Sequence, residues 1–288
     1  MLWTSFRAAL LLATFGLTSS SAGDLAASGS AQRPTPPLGA PAQSAITVSA
    51  RLLVDRSHGE TFDVSGLTTY LTANGWTVSQ HAAGPLDAGA LASADVLMVP
   101  VNTYSSIANF SAAEVAAITS WVAGGKGLWL FNEFWTPPFG INSLAGSFGV
   151  QFHADLLRDA VENRGDPVWP NITNLSVHAV TAGVSAFGYY AGACVTAAPP
   201  AQLVARGGSN AHSDDCPVQP GVLAVATYGS GRAAFCGDNT PLHPADYPSG
   251  LDAQERMLLQ NIANWLAGGS GPTVATRASW AQVKSIYR

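Results

Sequence analysis

The amino-acid sequence predicts an α/β fold built on a doubly wound, mainly parallel sheet. Strand-like apolar runs alternate with amphipathic helical segments between residues 46 and 133. Such β-α-β alternation is typical of parallel sheets with right-handed crossovers. The chain of 288 residues is also 47% hydrophobic, which is enough to build a substantial core.

The first half of the predicted domain has the clearest elements. The helix that follows the third strand has sharp boundaries, because Ser111 can cap its start, Glu114 completes a capping box, and Gly124 and Gly125 stop it. The expected order is strand 46–55, helix 62–75, strand 76–80, strand 94–101, helix 111–125 and strand 125–133.

The second half is interrupted by Pro, Gly and aromatic residues. Residues 141–152 indicate a short helix that leads into a strand, and residues 201–207 a further strand. Residues 221–238 indicate an antiparallel hairpin that turns at Gly229-Ser230-Gly231. The last helix is marked by Asp252 as cap and Glu255 three residues later.

Both ends of the chain differ in composition from this domain. Residues 1–22 have the pattern of a signal peptide, with Arg7 before an apolar stretch that is too short to span a bilayer. We expect residues 23–45 to be a disordered Pro/Ala/Ser linker, residues 46–269 to be the domain and residues 270–288 to be a tail. The predicted location is secreted, periplasmic or cell envelope, with no membrane span after signal cleavage, although an uncleaved anchor is an alternative.

Charge and cysteine content limit the partners and the disulfides that we expect. The net charge is −5 with only 13 Lys and Arg, so nucleic acid is not an expected partner. No cofactor is expected. In an oxidising compartment Cys194 and Cys216 are predicted to form a disulfide, while Cys236, inside an apolar run, is predicted to be a buried free thiol.

Polar residues follow several of the predicted strands. Because parallel strands deliver their carboxyl ends to one edge of the sheet, where ligands bind in open α/β folds, we expect a polar site there. The candidate ligand-binding residues are Asp55, Ser57, His58, Glu60, Asn102, Tyr104, Asn132, Glu133, Asp238 and Asn239.

Three interpretations of the segment LLVDRSHGETFD remain open. In a hydrolase, His58 is a general base oriented by Asp55 or Glu60 and acts on Ser57 or a water. In a metal site, Asp55 and His58 bind with His243 or Asp238, but Asp-x-x-His is not a dedicated ligand spacing, and no metal is predicted. In a structural role, Asp55 and Ser57 cap the next helix, and His58 bonds to neighbouring loops.

The order of several motifs resembles the uncharacterised domains related to class I glutamine amidotransferases. Such domains occur in exported bacterial proteins, in gliding-motility transport accessories and at the amino end of an intraflagellar transport subunit. The resemblance runs from about residue 48 to 268 and lies in LLVDRSHGETFDVSGLTTYLTANGWTV, LASADVLMVP, FSAAEVAAITSWVAGGKGLWLFNE, INSLAGSFGVQF, HAVTAGV and GSGRAAFCGDNTPL with NIANWLAG. The tail SWAQVKSIYR resembles a short carboxyl-terminal segment of varied exported bacterial proteins.

This resemblance implies a flavodoxin-like sheet and allows a check on catalysis. Active amidotransferases carry a Cys on the turn after a central strand, but here Glu133 and Phe134 stand there, and Cys236 lies in another strand. His243 is not in a matching His-x-Glu context. The expected function is an exported, non-catalytic ligand-binding or scaffold module whose partner is a small molecule, a glycan or an envelope protein. The alternative is a hydrolase of polysaccharide or peptide material that uses His58 with Asp55 or Glu60.

Overall fold

A computed structural model describes residues 50–59, 62–101, 109–134, 138–239, 242 and 252–268. These residues all belong to one compact unit within residues 46–288. The predicted signal peptide, linker and tail lie outside the described residues, so their boundaries stay predictions. Among the residues described, no helix has the length and apolar character needed to cross a bilayer.

The secondary structure alternates strand and helix in the first half of the chain and consists mainly of strands in the second. In chain order the elements are β1 (Arg51–Asp55), α1 (Ser65–Ala73), β2 (Thr77–His81), α2 (Ala88–Leu91), β3 (Val96–Val99), α3 (Ala112–Ala123), β4 (Gly127–Phe131), α4 (Phe139–Ala145), β5 (Val150–Phe152), β6 (Asn171–Ile172), β7 (Asn174–Leu175), β8 (Phe187–Gly188), β9 (Val195–Ala197), β10 (Ala201–Arg206), β11 (Gly221–Tyr228), β12 (Gly231–Cys236) and α5 (Ala253–Leu266).

One large sheet organises the domain, in the order β2-β1-β3-β4-β12-β11-β10-β7. The first five of these strands run parallel, and β12-β11-β10-β7 are joined by antiparallel pairings. Strand β9 pairs with β11 and carries β5, while β6 and β8 form a separate pair. The predicted fold class, a doubly wound and mainly parallel sheet with a late antiparallel hairpin, is confirmed.

The sheet is buried on both faces, which explains the continuous apolar runs of its central strands. Trp129 and Phe131 of β4 belong to the core cluster that also holds side chains of α1 and α5. Leu128 and Leu130 point to the other face, into the cluster that holds side chains of α3 and α4. The period-two alternation of a strand thus divides β4 between two cores.

Side-chain caps start two of the helices as predicted. Ser111 and Glu114 form a reciprocal capping box at α3, and Asp252 and Glu255 do so at α5. The interpretation that Asp55 and Ser57 cap α1 is wrong. Its cap position is Val64, without a side-chain hydrogen bond, because Asp55 and Ser57 are used within the loop after β1.

The predicted disulfide is present between Cys194 and Cys216, and Cys236 is a free thiol of intermediate exposure, rather than fully buried as predicted. Cys194 directly precedes β9, and the bond ties this strand to the polar loop before β11. Sequence periodicity missed β6 to β9, since strands of two or three residues carry no repeat that a pattern can detect.

Candidate functional site

The first polar cluster lies at the carboxyl end of β1. Asp55, the last residue of the strand, is fully buried. Its Oδ1 accepts hydrogen bonds from the Ser57 backbone N–H at 2.9 Å and the Ser57 hydroxyl at 2.8 Å. Its Oδ2 lies 2.7 Å from Nδ1 of His58. A strand end followed by a short polar turn therefore presents one carboxylate to two neighbours.

The other ring nitrogen of His58 faces α3. Its Nε2 lies 3.3 Å from Oε1 of Glu114, and the His58 ring packs on Phe110 with ring centroids 4.0 Å apart. Glu114 also accepts hydrogen bonds from Leu86 N–H and from the backbone and hydroxyl of Ser111. Sequence reasoning found Glu114 only as a capping residue, because its contact with His58 depends on tertiary structure.

Charge and burial oppose each other at this histidine. Burial lowers the pKa of His58, but the hydrogen bond and charge of Asp55, with those of Glu114, outweigh burial and leave the pKa raised. Burial likewise raises the pKa of Glu114, yet its hydrogen bonds to Ser111 and Leu86 and the charge of His58 leave that pKa lowered. The imidazole of His58 therefore lies between two carboxyl groups whose charges favour its protonated form.

This geometry differs from that of a Ser-His-Asp triad. In a triad the nucleophile and the orienting carboxylate occupy opposite nitrogens of the imidazole. Here the Ser57 hydroxyl lies 3.2 Å from Nδ1, the same nitrogen that contacts Asp55, and it donates to that carboxylate. Nε2, which would have to accept a proton, faces Glu114. The polar side chains of this cluster therefore contact one another and do not form a triad.

The second polar cluster lies where β4 and β12 end side by side. Glu133 follows β4 and is 3% exposed, and its two oxygens accept the backbone N–H groups of Phe134 at 3.0 Å and Asn239 at 3.4 Å. Asp238, 1% exposed, accepts the backbone N–H of Tyr190 at 2.8 Å. The parallel pairing of β4 with β12 brings these two carboxyl groups to one place.

Burial and nearby negative charge raise the pKa values of several groups in this cluster. Burial, and then the negative charge of Asp238, hold the pKa of Glu133 well above its ordinary value of 4.5. Burial of their own side chains, together with the negative charge of Asp238, also raises the pKa values of Tyr189 and Cys236. Cys236 and Asp238 line a small, mainly apolar cavity of about 20 Å³, room for about one water. A raised thiol pKa makes Cys236 a poor nucleophile.

Asparagine side chains connect the strand ends to other elements. The Asn239 side chain donates to the carbonyl of Val101, just after β3. The Asn132 side chain donates to the carbonyl of His153, just after β5, at 3.1 Å. Both asparagines are buried, so they act as ties between loops.

The predicted site residues therefore form two clusters at one edge of the sheet, since β1, β3, β4 and β12 are parallel. One cluster contains Asp55, Ser57 and His58, and the other contains Glu133, Asp238 and Asn239. Glu60, Asn102, Tyr104 and His243 lie outside the described residues. Within the part of the chain that is described, three potential metal ligands converge only at His153, Cys194 and Cys216.

Several solved structures share this fold. The mmIFT52 N-terminal domain matches with a TM-score of 0.61 at 18% identity, over 76% of this chain and 98% of that domain. A ThuA-like protein from Bacteroides uniformis matches with a TM-score of 0.52 at 13% identity, over 81% and 99%. A cytoplasmic protein from Salmonella typhimurium matches with a TM-score of 0.51 at 16% identity, over 75% and 98%.

No protein-family model and no curated protein sequence matches the chain. At identities below 20%, the structural likeness concerns the fold alone. The chain thus shares an α/β architecture with the mmIFT52 domain and with a ThuA-like protein.

Proposed function

We propose that this chain is an exported, non-catalytic ligand-binding or scaffold module with a glutamine-amidotransferase-like fold. The observation that carries the proposal is the turn after β4, where amidotransferases hold their cysteine. Glu133 stands there, buried, and both of its oxygens accept backbone N–H groups. A buried carboxyl group engaged in this way supports the turn.

The loops at the carboxyl edge of the sheet are the proposed recognition surface, since ligands of open α/β sheets bind outside that edge. His58 fixes the loop after β1 to the start of α3. Asn239 fixes the loop after β12 to Val101. These buried residues act beneath the surface as positioning residues, and the proposed ligand touches the loops above them.

The ligand class remains a small molecule, a glycan or an envelope protein. Export is supported by the signal-like residues 1–22 and by the Cys194–Cys216 disulfide, which a non-reducing compartment maintains. Amino-terminal sequencing of protein recovered outside the cytoplasm should begin near Gly23.

The test is thermal unfolding of the mature protein with neutral oligosaccharides, peptidoglycan fragments and peptides. One class should raise the melting temperature, since a ligand at 100 times its dissociation constant adds about 2.7 kcal/mol to stability. Asn239→Ala, which removes the tie beneath the loops, should weaken binding. Asn74→Ala is the matched control. The Asn74 side chain donates to the Tyr70 carbonyl at the end of α1, just before β2 starts, and so lies away from the carboxyl ends of the strands. If no ligand class shifts unfolding, the binding proposal fails.

A further inference from the structure

Three metal-binding side chains converge on the β5–β9 side of the sheet. His153 directly follows β5 and Cys194 directly precedes β9, and the pairing of Phe152 with Val195 places them side by side. Cys216 reaches the same point through the disulfide. One donor atom from each of the three residues lies within 4.8 Å of the other two. Backbone pairing, rather than a flexible loop alone, fixes two of the three donors.

Polar groups contact His153 and Cys194: Nε2 of His153 lies 3.1 Å from the Thr196 hydroxyl, and two carboxyl groups lie near. Oδ2 of Asp215 lies 3.4 Å from Nδ1 of His153. Asp155 is 2% exposed, and its Oδ1 accepts the Cys194 backbone N–H at 2.8 Å. Its Oδ2 is buried and has no hydrogen-bond partner among the residues described. A buried, unpartnered carboxylate oxygen is costly unless positive charge or a donor lies nearby.

We propose that reduction of the Cys194–Cys216 disulfide converts this cluster into a site for a thiophilic divalent cation, Zn²⁺ in particular. The two thiolates and the His153 imidazole supply three ligands and leave a fourth position open, a set known from zinc sites. Asp215, which contacts Nδ1 of His153, and Asp155, which holds the Cys194 backbone, are positioning residues of this site. This site goes beyond the proposed function and does not depend on it.

The step that opens the site is a two-electron reduction. A dithiol reductant forms a mixed disulfide with one sulfur, then closes to its own disulfide, and leaves Cys194 and Cys216 as thiols. Cation binding then displaces the two thiol protons. Since the sulfurs bond either to each other or to the cation, the oxidised protein cannot form the same site.

The geometry suits zinc after a small adjustment. Zn–S bonds of about 2.3 Å and Zn–N bonds of about 2.0–2.1 Å place tetrahedral donors roughly 3.5–3.8 Å apart. Reduction frees the two sulfurs to move apart to this spacing by side-chain rotation, and the His153 donor, within 4.8 Å of both, moves closer to them. The open fourth position is available to water or to an exogenous ligand.

The experiment uses the mature protein, reduced with a phosphine and desalted without oxygen, and titrates it with Co²⁺ as a spectroscopic probe. One equivalent should produce thiolate-to-cobalt charge transfer and the intense visible bands of four-coordinate Co²⁺, and Zn²⁺ should abolish both. The oxidised protein should show neither. His153→Ala and Cys194→Ser should weaken binding by at least about 100-fold, and Asp215→Ala by about 10–100-fold.

Two controls match the ligands in residue type. His212→Ala removes an exposed histidine of the same region, and Cys236→Ser removes the free thiol, and both should keep the cobalt spectrum. If the reduced protein is unfolded by circular dichroism, one equivalent of Zn²⁺ should restore a cooperative melt. The proposal is overturned if reduced protein binds Co²⁺ no better than oxidised protein, or if His153→Ala binds as tightly as wild type.

Discussion

At the scale of the residue, His58 joins three parts of the fold. Its two nitrogens contact Asp55 at the end of β1 and Glu114 in α3, and Glu114 in turn holds the Leu86 N–H before α2. Only 7% of the His58 side chain is exposed. Its removal therefore leaves two buried carboxylates without their shared partner.

We expect His58→Ala to lower the free energy of unfolding by about 3–5 kcal/mol, the usual effect of removing one member of a buried charged pair. Urea denaturation at pH 6 measures the change. His212→Ala is the control, since His212 is exposed. A loss as small as that of the control would show that His58 has no structural role and would revive its interpretation as a free base.

The raised pKa of His58 also predicts a pH dependence. The protonated imidazole stabilises the fold fully below the unfolded-state pKa of 6.5, and this contribution is lost as the pH rises through the higher folded-state pKa. Unfolding free energy measured across this range should fall in the wild type and stay flatter in His58→Gln. Equal slopes would contradict the assignment.

Glu133 predicts a second dependence of the same sign at lower pH. Its folded-state pKa is raised by burial and by Asp238, so the native state holds a proton that the unfolded state releases. Unfolding free energy should decline as the pH rises from 4.5 through the raised value, and Glu133→Gln should remove this decline. Glu162→Gln, at an exposed glutamate, should leave the wild-type profile unchanged. A Glu133→Gln profile identical to wild type would disprove the raised pKa.

At the scale of the element, close backbone approaches hold helices to the sheet. Gly231 starts β12 against the end of α3, where an added Cβ would overlap the carbonyl oxygen of Val122. Gly146, by contrast, follows α4 with ordinary helical φ and has open space beside it. Gly231 is therefore needed for close packing, whereas Gly146 is not.

We expect Gly231→Ala to cost about 3 kcal/mol, because backbone on both sides must move. Gly146→Ala should be neutral or stabilise by about 0.4–1 kcal/mol, through the lower entropy of the unfolded chain. Melting temperatures of the two variants give the comparison. Equal effects would show that the approach of β12 to α3 is not tight.

The elements differ in how far the sequence could predict them. Strands β3 and β4 are continuous apolar runs, and α3 and α5 carry capping boxes, so local residues determine them. Strand β9 forms because β5 and β11 pair with it, so its position depends on residues that are distant in the sequence. The contacts of the candidate site also differ in how far the sequence could predict them. Strand ends placed Asp55, Glu133 and Asp238 at one edge, whereas the link from His58 to Glu114 needed the packing of α3.

At the scale of the whole molecule, two cores on opposite faces share one sheet. Strands such as β4 contribute to both, so loss of either core disrupts the other. We expect a fragment of residues 46–269 to unfold in one cooperative transition, by circular dichroism and by fluorescence alike. Protease sensitivity or transitions that differ between the two probes would show that a domain boundary is misplaced.

The oxidation state of the cysteines is a further property of the whole chain. Thiol labelling of the native protein should modify none of the three cysteines, because two form the disulfide and the raised pKa of the Cys236 thiol slows its reaction. After denaturation without reductant, one thiol should react. Two reactive thiols in the native protein would contradict the disulfide.

We propose that the buried polar clusters hold binding loops in place and do not catalyse hydrolysis. Product analysis of wild type, Ser57→Ala and His58→Gln tests it most directly, with polysaccharides, peptides and glutamine as substrates and with folding checked by circular dichroism. Our account predicts that none of the three proteins releases products above a buffer control. Turnover by repurified wild type that is lost in a folded Ser57→Ala or His58→Gln variant would contradict it.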